Sequence, residues 1–213
     1  MNSHYFAQGL MIGISIAAPV GPIAVLCIER TLNKGRWVGL ISGLGAACAD
    51  ALYGCVAGYG LVFIADFLID HTLWMRLIGG FFLCWLGIRT LTEKPPQTAA
   101  ETKLKKQSFG LFHAWTSTFF LTLTNPMTLL SFAAIFAALG IAQKNTHYGS
   151  ASLLVFGVFL GSAFWWLLLS SVVSIFRKKL TPNARRWINR FSGVTLLSFG
   201  LLALFASGGL TTR

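Results

Sequence analysis

The sequence predicts an all-α integral membrane protein of six transmembrane helices, and three observations carry that expectation. Hydrophobic residues make up 55% of the 213-residue chain and charged residues only 11%, with a mean hydropathy of +0.69. A water-soluble domain carries roughly a quarter charged residues. The apolar residues fall into runs of about 20, the length that crosses roughly 30 Å of hydrocarbon as a helix. Finally, the basic residues gather in alternate connections between those runs.

Six runs lie near residues 5–28, 38–63, 73–91, 112–140, 149–175 and 190–208. The first opens on MNSHYFAQGL, with no preceding basic residue and no small-residue cleavage pattern, so it reads as a retained helix rather than a signal peptide. Arg30, Lys34 and Arg36 fall between the first and second runs. Arg89, Lys94, Lys103, Lys105 and Lys106 fall between the third and fourth, and Arg177, Lys178, Lys179, Arg185, Arg186 and Arg190 between the fifth and sixth. The opposite side keeps Arg76, Lys144 and Arg213. Basic residues mark cytoplasmic loops, so this split predicts an inner-membrane protein with both termini outside the cytoplasm. The net charge of +11 is then addressed to anionic lipid and not to nucleic acid.

The whole chain, 1–213, reads as one membrane domain. Residues 92–108, with Pro95-Pro96 and mixed charge, form a flexible cytoplasmic loop between a first triplet of spans (about 5–91) and a second (about 112–208). Three spans per triplet is an odd number, so the triplets must run in opposite orientations, as two inverted repeats.

Two spans break the rules of a membrane helix. The first contains Pro19-Val20-Gly21-Pro22, where each proline removes an N–H and clashes with the preceding turn. Gly21 between them is expected to allow φ values that other residues avoid. The fourth contains Asn125-Pro126 among Thr116, Ser117, Thr118, Thr122, Thr124, Thr128 and Ser131. Irregular backbone at membrane depth survives where it is buried in protein or lines a watery cavity. The plainer reading is a packing kink at each proline, with hydroxyls bonding back to their own helix. Asn125 either clamps a helix contact or binds a ligand. Both breaks fall in the first helix of a triplet, and broken helices at matching positions of inverted repeats point to a midplane site in a secondary transporter.

Asp50 is the one carboxylate well inside a span. Gly39, Gly43, Ala47, Asp50, Gly54 and Gly58 follow helical steps along one face, a stripe of small residues that lets another helix approach. Asp50 therefore faces protein, and burying it costs about 2.5–3.5 kcal/mol on insertion scales. A carboxyl that gains and loses a proton as this seam opens would couple transport to a proton gradient; substrate contact and a structural hydrogen bond are the alternatives. Glu29 and Arg30 read as an interfacial pair at the end of the first span. Trp37, Trp74, Trp115 and Trp187 read as aromatic belts. Trp165 and Trp166, which follow Gly157-x-x-x-Gly161, read as packing residues, with cavity lining as the alternative. Cys27, Cys48, Cys55 and Cys84 form no C-x-x-C pair and read as small core residues.

The order Pro19-Val20-Gly21-Pro22, Gly43-x-Gly45 leading to Asp50, and Asn125-Pro126 resembles the lysine-exporter (LysE) superfamily, which includes the homoserine/threonine exporters. The stretch APVGPIAVLCIERTLNKGRWVGLISGLGAACADALYG is its most diagnostic part, and the resemblance covers essentially the whole chain. It implies an inner-membrane exporter of amino acids or related small metabolites, driven by the proton-motive force, with Pro19, Gly21, Pro22, Asp50, Asn125 and Pro126 around the transport path. Older topology schemes for this superfamily use five spans, where the charge split here argues for six. Members that export lysine and arginine typically have Gln where this chain has Ile23, and an acid where it has Ser131. A neutral or weakly charged amino acid is therefore the expected substrate.

Other function classes have little to stand on. The chain has no G-x-x-x-x-G-K-[ST] loop for nucleotide and no H-E-x-x-H, and its histidines (His4, His71, His113, His147) lie at span ends, so no enzyme, cofactor or resident metal is expected. The alternative function is heavy-metal ion export, because Cys48 and Cys55 lie two turns apart on the second helix and soft ions favour thiolates. The expected partners are the amino-acid substrate, protons and membrane lipid; a homo-oligomer is compatible with the sequence but not specified by it.

Overall fold

Inside lipid the backbone must satisfy its own hydrogen bonds, which favours helix wherever the apolar runs are long. A computed structural model of the chain describes residues 2–19, 21–59, 67, 70–92, 110–139, 148–177 and 180–208. Eight helices fall among them: α1 (Asn2–Ala17), α2 (Pro22–Lys34), α3 (Arg36–Gly58), α4 (Thr72–Thr92), α5 (Leu111–Leu123), α6 (Pro126–Leu139), α7 (Tyr148–Arg177) and α8 (Pro182–Gly208). The loop expected at 92–108 lies outside the described residues from position 93 onward, as does the tail of the second expected span beyond Tyr59.

Four helices, α3, α4, α7 and α8, are each long and apolar enough to cross a membrane. The pair α1 and α2 meets the same test only together, and the two are bent by 79° at the break. The fourth expected span is divided into α5 and α6, of 13 and 14 residues, each too short to cross alone. Large apolar side chains face outward along the bundle; Phe112, Phe191 and Phe205 are 79%, 73% and 76% exposed. A surface of that kind is stable against lipid tails and would drive aggregation in water. The chain is a multi-pass membrane protein.

The packing is built on backbone approach. α1 runs beside α7 in the same direction, with Gly9 and Gly13 against the Leu154 and Val158 carbonyls and Gly157 and Gly161 against those of Phe6 and Leu10. α4 and α8 run antiparallel: a methyl group on Gly87 would lie 2.9 Å from the Gly193 carbonyl oxygen, and one on Gly200 would lie 2.9 Å from that of Gly80. Glycine is needed here because a side chain would push the helix axes apart. α3 is sandwiched between α7 and α5, and α2 fits between α3, α7 and α8.

Two expectations are corrected. The last helix begins at Pro182, not near 190, because Thr181 caps it: its hydroxyl accepts the Ala184 N–H at 3.2 Å and its carbonyl the Arg185 N–H at 3.1 Å. Arg185, Arg186 and Arg190 thus sit on α8 rather than in a loop. Glu29 and Arg30 are not interfacial: they are 3% and 2% exposed, because the bend at the first break turns α2 inward. Eleven of its thirteen residues are buried.

Candidate transport site

Both prolines of the helix breaks do the same local job. Gly21 precedes α2 as its N-cap and Pro22 opens the helix; Asn125 precedes α6 and Pro126 opens it. Proline is favoured at that first position, where its missing N–H has no intrahelical acceptor to serve. The Asn125 side-chain oxygen accepts the Met127 N–H at 3.1 Å, a side-chain N-cap. Asn125 therefore caps its own helix through its oxygen, a role distinct from both expected ones, and the amide NH2 is left for other partners. The break also strands the Leu123 carbonyl, whose helical donor would have been Met127. The Tyr53 hydroxyl donates to it at 2.6 Å. Tyr53 lies one turn beyond Asp50 on α3, so one helix carries both the carboxyl and the support of the second break. Replacing Tyr53 with Phe should lower stability by about 1 kcal/mol, a few degrees in the melting midpoint of detergent-purified protein.

The first break differs in one respect from the sequence expectation. Gly21 has φ −120° and ψ −170°, extended backbone that any residue adopts, and nothing lies within 4 Å of where its Cβ would be. Glycine is not demanded by conformation at that position. What it provides is open space.

That space is a cavity of about 520 Å³. Pro19, Gly21 and Pro22 of the first break line it, with Asp50 of α3 and Thr124 and Asn125 of the second break. Arg76 of α4, Phe199 of α8 and Trp166 of α7 complete its walls, so Trp166 serves both the core and the cavity. The structure thus brings Pro19, Gly21, Pro22, Asp50 and Asn125 to one place, with Pro126 one residue further on at the start of α6. The volume is that of a small-molecule pocket. The N-terminal turns of α2 and α6 both contribute to it, and a helix N-terminus favours negative charge.

Asp50 is 3% exposed, and its carboxyl accepts the Ser162 hydroxyl of α7 at 2.7 Å. The small-residue stripe around it is spent on close packing: Gly43 lies against Trp166, Gly54 against Val158, Gly58 against Val155 and Gly39 against Thr31 of α2. Cys27 is buried, and Cys48, Cys55 and Cys84 are partly so; all four are free thiols.

Sequence reasoning missed a second buried polar group, one to two turns from the cavity toward the end that carries Lys34, Arg36 and Arg177. Arg30 donates to the Ser42 hydroxyl (2.9 Å), the Ala114 carbonyl (3.0 Å), the Thr118 hydroxyl (2.8 Å) and the Ser117 hydroxyl (2.9 Å). Asn33 donates to Glu29 at 2.7 Å and to Asn189 of α8 at 2.6 Å. Arg177 of α7 donates to the Leu32 carbonyl at 3.0 Å, near the C-terminal end of α2. The signal was present in Ser117 and Thr118, polar residues early in a span at a depth that matches Arg30 only once α2 is turned inward.

Comparison with known proteins shows the family. The sequence profile of the family described as LysE type translocator matches residues 14–207. A protein of Bacillus subtilis (strain 168) named "Putative amino acid efflux protein YcgF" is 31% identical over 198 residues, covering 92% of each chain. The threonine efflux protein of Escherichia coli (strain K12) is 22% identical over 214 residues, covering 92% of this chain and 95% of that one. An uncharacterized membrane protein of the same organism, YahN, is 26% identical over 210 residues, covering 97% of this chain and 88% of its own. No solved structure matches. With the family profile spanning nearly its full length, the chain belongs to the LysE type translocator family.

Proposed function

We propose that this chain is a secondary exporter that moves a small amino acid or related metabolite out of the bacterial cytoplasm across the inner membrane, in exchange for protons that pass through Asp50. The observation that carries the reading is the meeting of two broken helices and a buried carboxyl at one cavity. Relatives named for amino acid and threonine efflux support both the substrate class and the direction.

The spans number six on this reading, with α1–α2 and α5–α6 each a broken span and both termini outside the cytoplasm. Two inverted repeats are supported by how the helices pair. α1 runs beside α7, the second span of the other triplet, and α5 runs beside α3, the second span of its own opposite. α4 and α8 meet through glycines seven residues apart on each, Gly80 and Gly87 against Gly193 and Gly200. That exchange of partners is what a two-fold relation between triplets would produce.

Transport then follows alternating access. The cavity lies between Arg76, at the outer end of α4, and the Arg30 cluster, which stands on the cytoplasmic side and closes it. Opening inward requires α2 to part from α3, α5 and α8 at that cluster. A substrate entering there meets the N-terminal turns of α2 and α6, and proton exchange at Asp50 ties its release to the gradient.

The test is efflux from preloaded proteoliposomes across a panel of amino acids under an imposed pH gradient. Wild type should move at least one of them with the gradient, and Asp50→Asn should lose gradient dependence. Gradient-driven efflux by Asp50→Asn would remove Asp50 from the coupling. Heavy-metal ion export is the competing reading: substituting both Cys48 and Cys55 should leave amino-acid efflux intact and would abolish metal efflux.

A further inference from the structure

α7 packs by different rules in its two halves. In the first, Gly157 and Gly161 admit the backbone of α1, and Val158 fits the notch left by Gly54 of α3. Ser162 ends that half, its hydroxyl committed to Asp50 at 2.7 Å. Gly13 of α1 lies against Val158 and Ser162, so Ala17, the last residue of α1, stands near the level of Trp166. Beyond Trp166 the buried face of α7 is covered by α2 and α3.

The polar side chains of this second half are not matched. Among the described residues, four buried side-chain polar atoms have no hydrogen-bond partner: Trp165 Nε1, Trp166 Nε1 and Ser170 Oγ of α7, and Asn33 Oδ1 of α2. All four lie between the level of the cavity and the end of the bundle that carries Lys34, Arg36 and Arg177. Trp166 and Ser170 are 3% and 1% exposed, and they follow Ser162 at one-turn steps along one helix face. A hydroxyl in a membrane helix commonly bonds back to its own helix. Ser171 and Ser174 do so, to the Leu167 and Ser171 carbonyls, and Ser170 does not.

A buried polar group without a partner weakens the state that contains it. The contact of α2 with α3 and α5 is the opposite case, since there the Arg30 donors and their acceptors satisfy one another. Water entering at Arg30 replaces bonds that already exist. Water entering along Trp166 and Ser170 supplies bonds where there are none, so that seam gains by being wetted.

We propose that the passage joining the cavity to the basic end of the bundle runs along α7, between it and the consecutive helices α2 and α3, and that Trp166 and Ser170 line it when it opens. The inference rests on the exporter reading and assigns its route. Trp166, which lines the cavity, stands where the passage leaves it. Ser170 lies one turn on, and Arg177, held to the Leu32 carbonyl at 3.0 Å, closes the far end.

The experiment uses protein freed of its native cysteines, carrying Ser170→Cys or Val158→Cys. Each is treated in proteoliposomes with a membrane-impermeant methanethiosulfonate from either face, at rest and during efflux of threonine or leucine under a pH gradient. Ser170→Cys should react from one face, about fivefold faster during efflux than at rest. Val158→Cys, in the glycine-packed half, should stay protected from that face. Ser170→Ala removes the orphaned hydroxyl and keeps the packing; it should raise the melting midpoint by about 2–4 °C and slow efflux about fivefold. A Ser170→Cys protein that transports yet is unreactive from both faces overturns the passage and leaves the exporter reading standing. So does a Ser170→Ala protein that melts no higher than wild type and transports as well. Reaction at Ser170→Cys in protein that moves none of a panel of amino acids leaves a wetted passage standing and overturns the exporter reading.

Discussion

Arg30→Ala should destabilise the protein by about 2–4 kcal/mol and open the end of the bundle where α2 meets α3 and α5 to water. Four hydrogen bonds radiate from this one guanidinium to α3 and α5, and the side chain that makes them is 2% exposed. Alanine removes the donors and leaves a void among three hydroxyls. Each bond is individually modest, since hydroxyl hydrogen bonds between membrane helices average only about 0.6 kcal/mol. A charged donor and a lost side chain of this size raise the sum. Arg30→Lys should recover less than half of it, because an ammonium is one point charge and cannot reach partners spread around a planar fork. Loss of the closure is readable at Cys27, one turn away on α2 and 1% exposed. In a variant whose other cysteines are replaced, Cys27 should resist a membrane-impermeant maleimide applied to either face of the membrane and become reactive from one of them when Arg30 is replaced by Ala. Equal melting midpoints and equal protection in the two proteins would show that the cluster holds nothing shut.

The fold class was legible because lipid imposes a coarse rule, an apolar run of fixed length, and α4 and α7 obey it nearly to the residue, while α3 starts within two residues of its expected span. The breaks were legible as breaks, since proline inside a span has few readings. Their form was not. Gly21-Pro22 and Asn125-Pro126 are each a capping residue followed by proline at the first helical position, an ordinary signature of a helix start. Taken as interruptions of one helix, they hide the 79° turn that sends α2 into the bundle. The residues that this turn carries into the bundle, and those that receive them, were misplaced with it. Glu29 and Arg30 read as interfacial because span ends are where charges usually sit, and the serine and threonine side chains that receive Arg30 read as solvation of the second break. Asp50 was legible because its neighbours on one helix face are small, a pattern local to α3. The place of Arg76 in the cavity wall was not, because it depends on α4 meeting α6, a contact between residues about fifty positions apart in sequence.

Two glycines eight residues apart should answer the same substitution in opposite ways. Gly13→Leu should abolish the folded protein, whereas Gly21→Leu should leave it folded and stop transport. At Gly13 the backbone of α7 stands where a side chain would go: a Cβ would meet the Val158 carbonyl and lie 2.9 Å from the Ser162 amide nitrogen. Neither neighbour is a flexible side-chain end, so α1 must move away from α7. Overpacking of this kind costs about 1–3 kcal/mol in a forgiving core and more where backbone is the obstacle. Ser162 is also the residue that donates to Asp50, so a displaced α7 removes the carboxyl's partner as well. At Gly21 nothing stands within 4 Å, the backbone is in a region leucine adopts freely, and the added side chain projects into the space where substrate would sit. The contrast is read by size-exclusion profile and melting midpoint for stability, then by proteoliposome efflux for activity. A Gly21→Leu protein that transports normally would place the substrate path away from the first break, and with it away from the N-terminal turn of α2. A Gly13→Leu protein that folds normally would mean that α1 packs on α7 less closely than the shared glycines of both helices require.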